Sequence, residues 1–196
     1  MAVRPLGKRA GLPSRLQTPP DFDTSTITCT HVYYDGSFKR GAEGRDSRAG
    51  WGVVVAQPNA GITDYWAPVI TVPSHPQFIG AVQLTNNSAE LSGAFWVLRV
   101  TSQLPPGVFV LGYDSEYSKN ATTGAWKARC NARLAAACKQ LLKRIAATHK
   151  IIWRHIDSHT GDILNERVDR SADRGADGYL HLPLLADYPR GVGNIM

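Results

Sequence analysis

Four carboxylates stand where strands and helices should begin or end. Asp35 follows the β-branched and aromatic run 27–34, and Asp114 follows the apolar run 108–113. Glu90 falls in the first turn of an amphipathic stretch opened by Asn87-Ser88-Ala89, and Asp169 follows Asn165-Glu166-Arg167-Val168 in a last helical segment. If the two strands are parallel neighbours, Asp35 and Asp114 meet at one edge of a sheet. Converging carboxylates repel, raise one another's pKa and are tolerated chiefly when a cation neutralises them. Hard oxygen ligands at this density suit Mg²⁺ or Mn²⁺ rather than Zn²⁺. Taken singly, each acid has an ordinary alternative. Asp35-Gly36 can be a turn, Glu90 with Asn87 and Asp114 with Ser115 can cap helices, and Asp169 can pair with Arg170 or Arg174.

The elements that must carry these acids can be read from periodicity. Residues 27–34 alternate as a strand, which Asp35-Gly36-Ser37 is expected to end. Residues 51–55 and 63–71 read as two further strands joined through Pro58-Asn59-Ala60-Gly61, which implies an antiparallel meander. A helix with Leu91, Ala94, Phe95 and Leu98 on one face follows, stopped by Pro105-Pro106-Gly107. Residues 108–113 form a buried central strand, 128–148 a second helix, 151–156 a fifth strand and 164–173 a last helix. The order β-β-β-α-β-α-β-α predicts an α/β fold: a five-stranded mixed sheet with helices on both faces. The expected organisation is a flexible basic arm over 1–24, a catalytic domain over 25–176 and a tail over 177–196.

Charge is unevenly placed. The chain of 196 residues carries a formal +6, and residues 117–156 contain nine Lys and Arg without one Asp or Glu. Such a stretch gives a positive surface suited to a polyphosphate backbone, or a solvated basic helix. Three cysteines, none in a CxxC, argue for a reducing intracellular compartment and against structural zinc. No run of 18 apolar residues reads as a membrane span. The arm bears Arg and almost no acid, as a targeting signal would, but Pro5, Pro13, Pro19 and Pro20 argue against an amphipathic transit helix.

Four segments together resemble the type I ribonuclease H family, which includes cellular enzymes and the ribonuclease H domains of reverse transcriptases. They are Tyr34-Asp35-Gly36-Ser37, Thr85-Asn86-Asn87-Ser88-Ala89-Glu90-Leu91, Tyr113-Asp114-Ser115-Glu116-Tyr117, and Asp157-Ser158-His159-Thr160-Gly161 running on through Asn165-Glu166-Arg167-Val168-Asp169. The resemblance spans roughly 27–176 and preserves the family's order. It implies hydrolysis of the RNA strand of RNA–DNA hybrids with two Mg²⁺ ions, Mn²⁺ being a plausible substitute, and 5′-phosphate and 3′-hydroxyl products. It further implies that Asp35, Glu90, Asp114 and Asp169 are the metal-binding carboxylates. His159 would be the loop histidine that handles protons. Gly36, Ser37, Thr85, Asn86 and Asn87 would line the hybrid, with Glu166 supporting the site. An upstream reverse transcriptase in a larger polyprotein is a partner consistent with the family.

Two features depart from the family. The segment 38–48 is longer and more basic than usual, and Trp126 with nearby cations is all that stands for a Trp-rich basic protrusion. Other nucleases of the same fold fit less well. Exonucleases want Asp-x-Glu on the first strand, and integrases lack the Asn-Asn-x-x-Glu helix start. A catalytically degenerate tether is the remaining alternative, and the presence of all four carboxylates and His159 counts against it.

Overall fold

A computed structural model of the chain describes residues 22–42, 46–157 and 160–183. The elements run β1 (Thr30–Lys39), β2 (Arg48–Gln57), β3 (Gly61–Pro68), α1 (Asn86–Thr101), β4 (Val108–Tyr113), α2 (Glu116–Thr123), α3 (Ala132–Ile145), β5 (Lys150–His155) and α4 (Ile163–Ala176). The five strands form one sheet in the order β3-β2-β1-β4-β5. The first three are antiparallel, and β4 and β5 add in parallel to β1. This is the predicted α/β architecture.

Element boundaries shift from those expected, and three differences have identifiable reasons. β1 does not end at Asp35: the ladder continues through Asp35↔Gly52 and Gly36↔Trp51 to Lys39↔Arg48, so Asp35 lies within a strand. The cap of α1 is Thr85, not Asn87. Its Oγ1 accepts from Ser88 N at 3.1 Å while Ser88 Oγ accepts from Thr85 N at 2.9 Å, a reciprocal capping box that leaves Glu90 out. An additional helix, α2, follows Asp114. Ser115 caps it and Gly124, at φ 84°, ends it in the left-handed region that glycine enters without strain.

Side chains alternate along β1, and the two faces are covered differently. Val32 and Tyr34 face α1, in a core that also holds Leu98, Leu111, Leu134 and the stacked rings of Trp51 and Trp96, whose centroids are 4.8 Å apart. Tyr33 faces α4 with Val54, Ile156, Leu164 and Val168. Unlike the one-faced helix expected, α1 is buried on nearly all sides, because β1 and β2, α2 and α3 surround it.

Glycines bring backbone against backbone at both faces. A Cβ on Gly36 would overlap Glu90 N and Ala89 C of α1, and one on Gly93 would meet Asp35 O at 2.7 Å. On the other face Gly50, Gly52 and Gly175 let α4 lie directly on β2 and β3. Asp64 on β3 accepts from Arg167 Nε at 2.7 and 2.9 Å, fixing α4 laterally. The start of α4 is held by Asp162, which accepts from Leu164 N and Asn165 N and pairs with Arg154 at 3.2 Å. Beyond α4 the chain returns to the outer strand. Trp66 and His181 exchange two backbone hydrogen bonds of 2.9 and 2.8 Å, and Arg174 lies over the Trp66 ring.

The approach of β1 to α1 can be tested directly. Gly36→Ala should destabilise the fold by about 1–3 kcal/mol, the usual cost of forcing extra volume into close packing. Urea unfolding should show the loss as a lower midpoint at unchanged slope.

Candidate active site

The parallel pairing of β1 with β4, Tyr33↔Gly112, sets the C-terminal ends of these strands side by side. Asp35, two residues further along β1, and Asp114, immediately after β4, therefore emerge at the same sheet edge. Glu90 comes from α1 on the opposite face to α4, at the point where Gly36 allows close approach. One carboxylate oxygen from each of Asp35, Glu90 and Asp114 lies within 4.8 Å of the other two. Asp35 and Glu90 are each 7% exposed.

Local contacts orient this trio. Asp35 Oδ1 accepts from Gly36 N at 2.7 Å, and Glu90 Oε1 accepts from Asn86 Nδ2 at 3.4 Å. Glu90 Oε2 is buried and has no protein partner. Tyr34, behind the trio, shares a buried 2.8 Å hydrogen bond with Ser118 that ties β1 to α2. Burial is the largest cause pushing the Asp35 carboxyl well above its ordinary range, followed by the charge of Asp114, with Asp169 and Asp173 adding to it. Glu90 is pushed up by burial and then by Asp35 and Asp114, while hydrogen bonding with Asn86 and Ser115 works the other way. Two buried carboxyls that resist ionisation, with an oxygen left unpartnered, form an oxygen-rich site that a divalent cation would complete.

The other predicted residues divide. The structure gathers three of the four expected acids within 4.8 Å; Asp169 is solvent-exposed on α4, outside that trio, and its charge reaches Asp35. Ser37 is committed: its hydroxyl donates to Asp173 Oδ1 at 2.6 Å. Asn87 is exposed, and Glu166 is exposed in the first turn of α4. His159 lies outside the described residues. Asp173 is the acid near the site that sequence reading passed over. Its signal was present, because Asp169, Asp173 and Asp177 recur every fourth residue and so share one helix face.

The cationic stretch also divides. α3 runs from the carboxylate edge back to the far edge, where Lys150 begins β5. Its N-terminal end adjoins the segment leading into α1, with Arg133 over the Phe78 ring and Gly80 against Leu134 N. Lys127 and Arg129 precede that end, whereas Lys143 and Arg144 occupy the last turn.

The sequence model of the RNase H family matches residues 28–177. The chain belongs to the ribonuclease H family. Ribonuclease H of Verminephrobacter eiseniae (strain EF01-2) is 32% identical over 166 residues, covering 79% of this chain and 95% of that relative. RNase H1 from Halobacterium salinarum NRC-1 shares the fold at TM-score 0.54 and 21% identity, over 76% of this chain and 97% of that one. LC11-RNase H1, solved in complex with RNA/DNA hybrid, does so at TM-score 0.52 and 19% identity, over 76% and 96%. The three cysteines of this ribonuclease H family member are unpaired. Among the described residues no helix is long and apolar enough to cross a membrane.

The raised carboxyls make stability depend on pH with a definite sign. Between their ordinary and raised values the folded, metal-free protein binds more protons than the unfolded chain. Their contribution is therefore fully present at low pH and is lost as pH rises through that window. Asp35→Asn removes one of the two groups. Its melting temperature without divalent cations should exceed that of the parent by a margin that widens as pH rises above the ordinary carboxylate range. Mg²⁺, which favours the ionised form, should narrow the margin. A margin constant with pH would contradict this electrostatic account.

Proposed function

We propose that this chain is an endonuclease that hydrolyses the RNA strand of RNA–DNA hybrids, leaving 5′-phosphate and 3′-hydroxyl ends. The observation that carries the reading is the buried Asp35–Glu90–Asp114 trio on a ribonuclease H fold, with Glu90 Oε2 unpartnered. The hybrid bound to LC11-RNase H1 supports the substrate class. Asp35, Glu90 and Asp114, joined by Asp169 from α4, would hold two Mg²⁺ ions, with Mn²⁺ as a substitute. Bound there, the ions would supply electrostatic stabilisation of the scissile phosphate and a water acidic enough to attack it.

The remaining roles belong to this chain's own groups. Glu90, oriented by Asn86 and shielded from bulk water, presents a carboxylate whose position changes little as charge arrives. Asn86 and Asn87 lie in the first turn of α1, where main-chain N–H groups lack partners within the helix and favour an anion. We assign that end, with Thr85, to a phosphate of the DNA strand. Gly36 serves the site by letting α1 seat Glu90 against β1, and discrimination of RNA from DNA rests on the 2′-hydroxyl and groove shape. His159 moves a proton at the departing oxygen, and Glu166 supports the site from α4. Lys127 and Arg129, at the carboxylate edge, engage the backbone; Lys143 and Arg144, a helix length away, do not.

Two measurements test this. With a labelled hybrid and Mg²⁺, Asp114→Asn should lower cleavage on the order of 10³-fold, the scale of losing one preorganised charge-stabilising group, yet leave hybrid binding nearly intact. Cleavage of double-stranded RNA and DNA should be absent throughout, and a wild-type chain that binds hybrid without cleaving it would favour the tether reading. In salt titrations of hybrid binding, Lys127→Gln with Arg129→Gln should reduce the log–log slope by up to about 2. Lys143→Gln with Arg144→Gln should leave the slope unchanged.

A further inference from the structure

The stripe of acids on α4 faces a polar stripe on β1. Asp35, Ser37 and Lys39 alternate onto the α4 side of the sheet, spaced roughly 6.6 Å per two residues. Asp169, Asp173 and Asp177 are spaced about 6 Å per four residues along α4. The two repeats nearly match, so each acid on the helix meets one residue on the strand. The first meeting is repulsive, since Asp169 and Asp173 both act on Asp35. The second and third are attractive. Ser37 Oγ donates to Asp173 Oδ1 at 2.6 Å. Lys39 Nζ donates to Asp173 O at 3.3 Å and lies 2.8 Å from Asp177 Oδ2. Arg48, paired with Lys39 across the β1–β2 ladder, reaches Asp177 Oδ1 at 3.1 Å.

This arrangement is costly for an isolated helix. Like charges four residues apart destabilise it, and Asp177 places a negative charge at the C-terminal cap, where the helix dipole is unfavourable. The strands supply what offsets that cost. We propose that Ser37, Lys39, Asp173 and Asp177 are positioning residues that lock α4 in register on β1. The lock keeps Asp169 facing Asp35 against their mutual repulsion, and so sets the affinity of the carboxylate centre for divalent cations. The inference rests on the reading that these carboxylates hold such cations. It assigns Ser37 to α4 rather than to the substrate.

The test uses the full chain and Mn²⁺ as probe, with free ion counted by electron paramagnetic resonance and hybrid cleavage followed in parallel. Asp173→Ala should weaken Mn²⁺ binding about tenfold, the range found when partners that orient metal ligands are lost. It should lower kcat with KM for hybrid unchanged. Asp173→Asn, which retains an oxygen acceptor for Ser37, should recover most of both. Lys39→Glu should weaken Mn²⁺ binding, and Lys39→Glu combined with Asp177→Lys should restore it, which keeps the test open if Asp173→Ala fails to fold. Wild-type affinity in Asp173→Ala and Lys39→Glu would overturn the register lock while leaving the metal reading standing. Asp173→Asn as damaging as Asp173→Ala would overturn it too. A wild-type chain that binds no Mn²⁺ would remove both.

Discussion

Everything at the working edge of this molecule is arranged around holding like charges together out of water. Asp35 and Glu90 are almost wholly buried, and each brings a carboxylate oxygen within 4.8 Å of one from Asp114. No gain from local contacts explains such a placement, since a carboxylate buried beside two others loses hydration and meets repulsion. It persists because the surrounding frame is stiff. β1 is central in the sheet, α1 is enclosed on nearly every side, and backbone meets backbone through Gly36 and Gly93. The stacked indoles of Trp51 and Trp96 pin the same helix to the next strand.

The two faces of the sheet contribute differently. The α1 face is apolar and fixes Glu90 through packing density. The α4 face has a small apolar cluster, and much of its registry comes from polar contacts: Asp64 with Arg167, Asp162 with Arg154, Ser37 with Asp173 and Lys39 with Asp177. Partly exposed pairs of this kind contribute little each, and their effect lies in geometry more than in stability. Asp169, the acid carried by that face, is accordingly the one that stands apart from the trio.

Much of this was legible in the residues. Alternation in β1 and the apolar run of β4 gave the strands, and the acids after them gave the edge where chemistry would gather. What stayed hidden depends on contacts distant in sequence. The continuation of β1 past Asp35 follows from its pairing with β2 and from α1 and α4 closing on both sides, whereas Asp-Gly-Ser taken alone reads as a turn. The capping box of α1 uses Thr85 and Ser88, although Asn87 with Glu90 offers an equally good local pattern. α2 is too short and too polar to show an apolar period, and only Ser115 and Gly124 mark its ends. The tie of Ser37 to Asp173 spans 136 positions and could be seen only once α4 lay on the sheet.

The return of the chain to β3 has a practical consequence. β3 is an outermost strand, and outer strands offer unpaired amides to any other extended chain. His181 occupies one donor and one acceptor of that rim and, with Arg174, shields the Trp66 indole. Trimming the protein just after Gly178, a natural choice for crystallisation, would keep Asp177 and leave the catalytic edge untouched while baring an aromatic seam. Such a shortened form would be prone to self-association through β3, a solubility defect without a matching defect in chemistry.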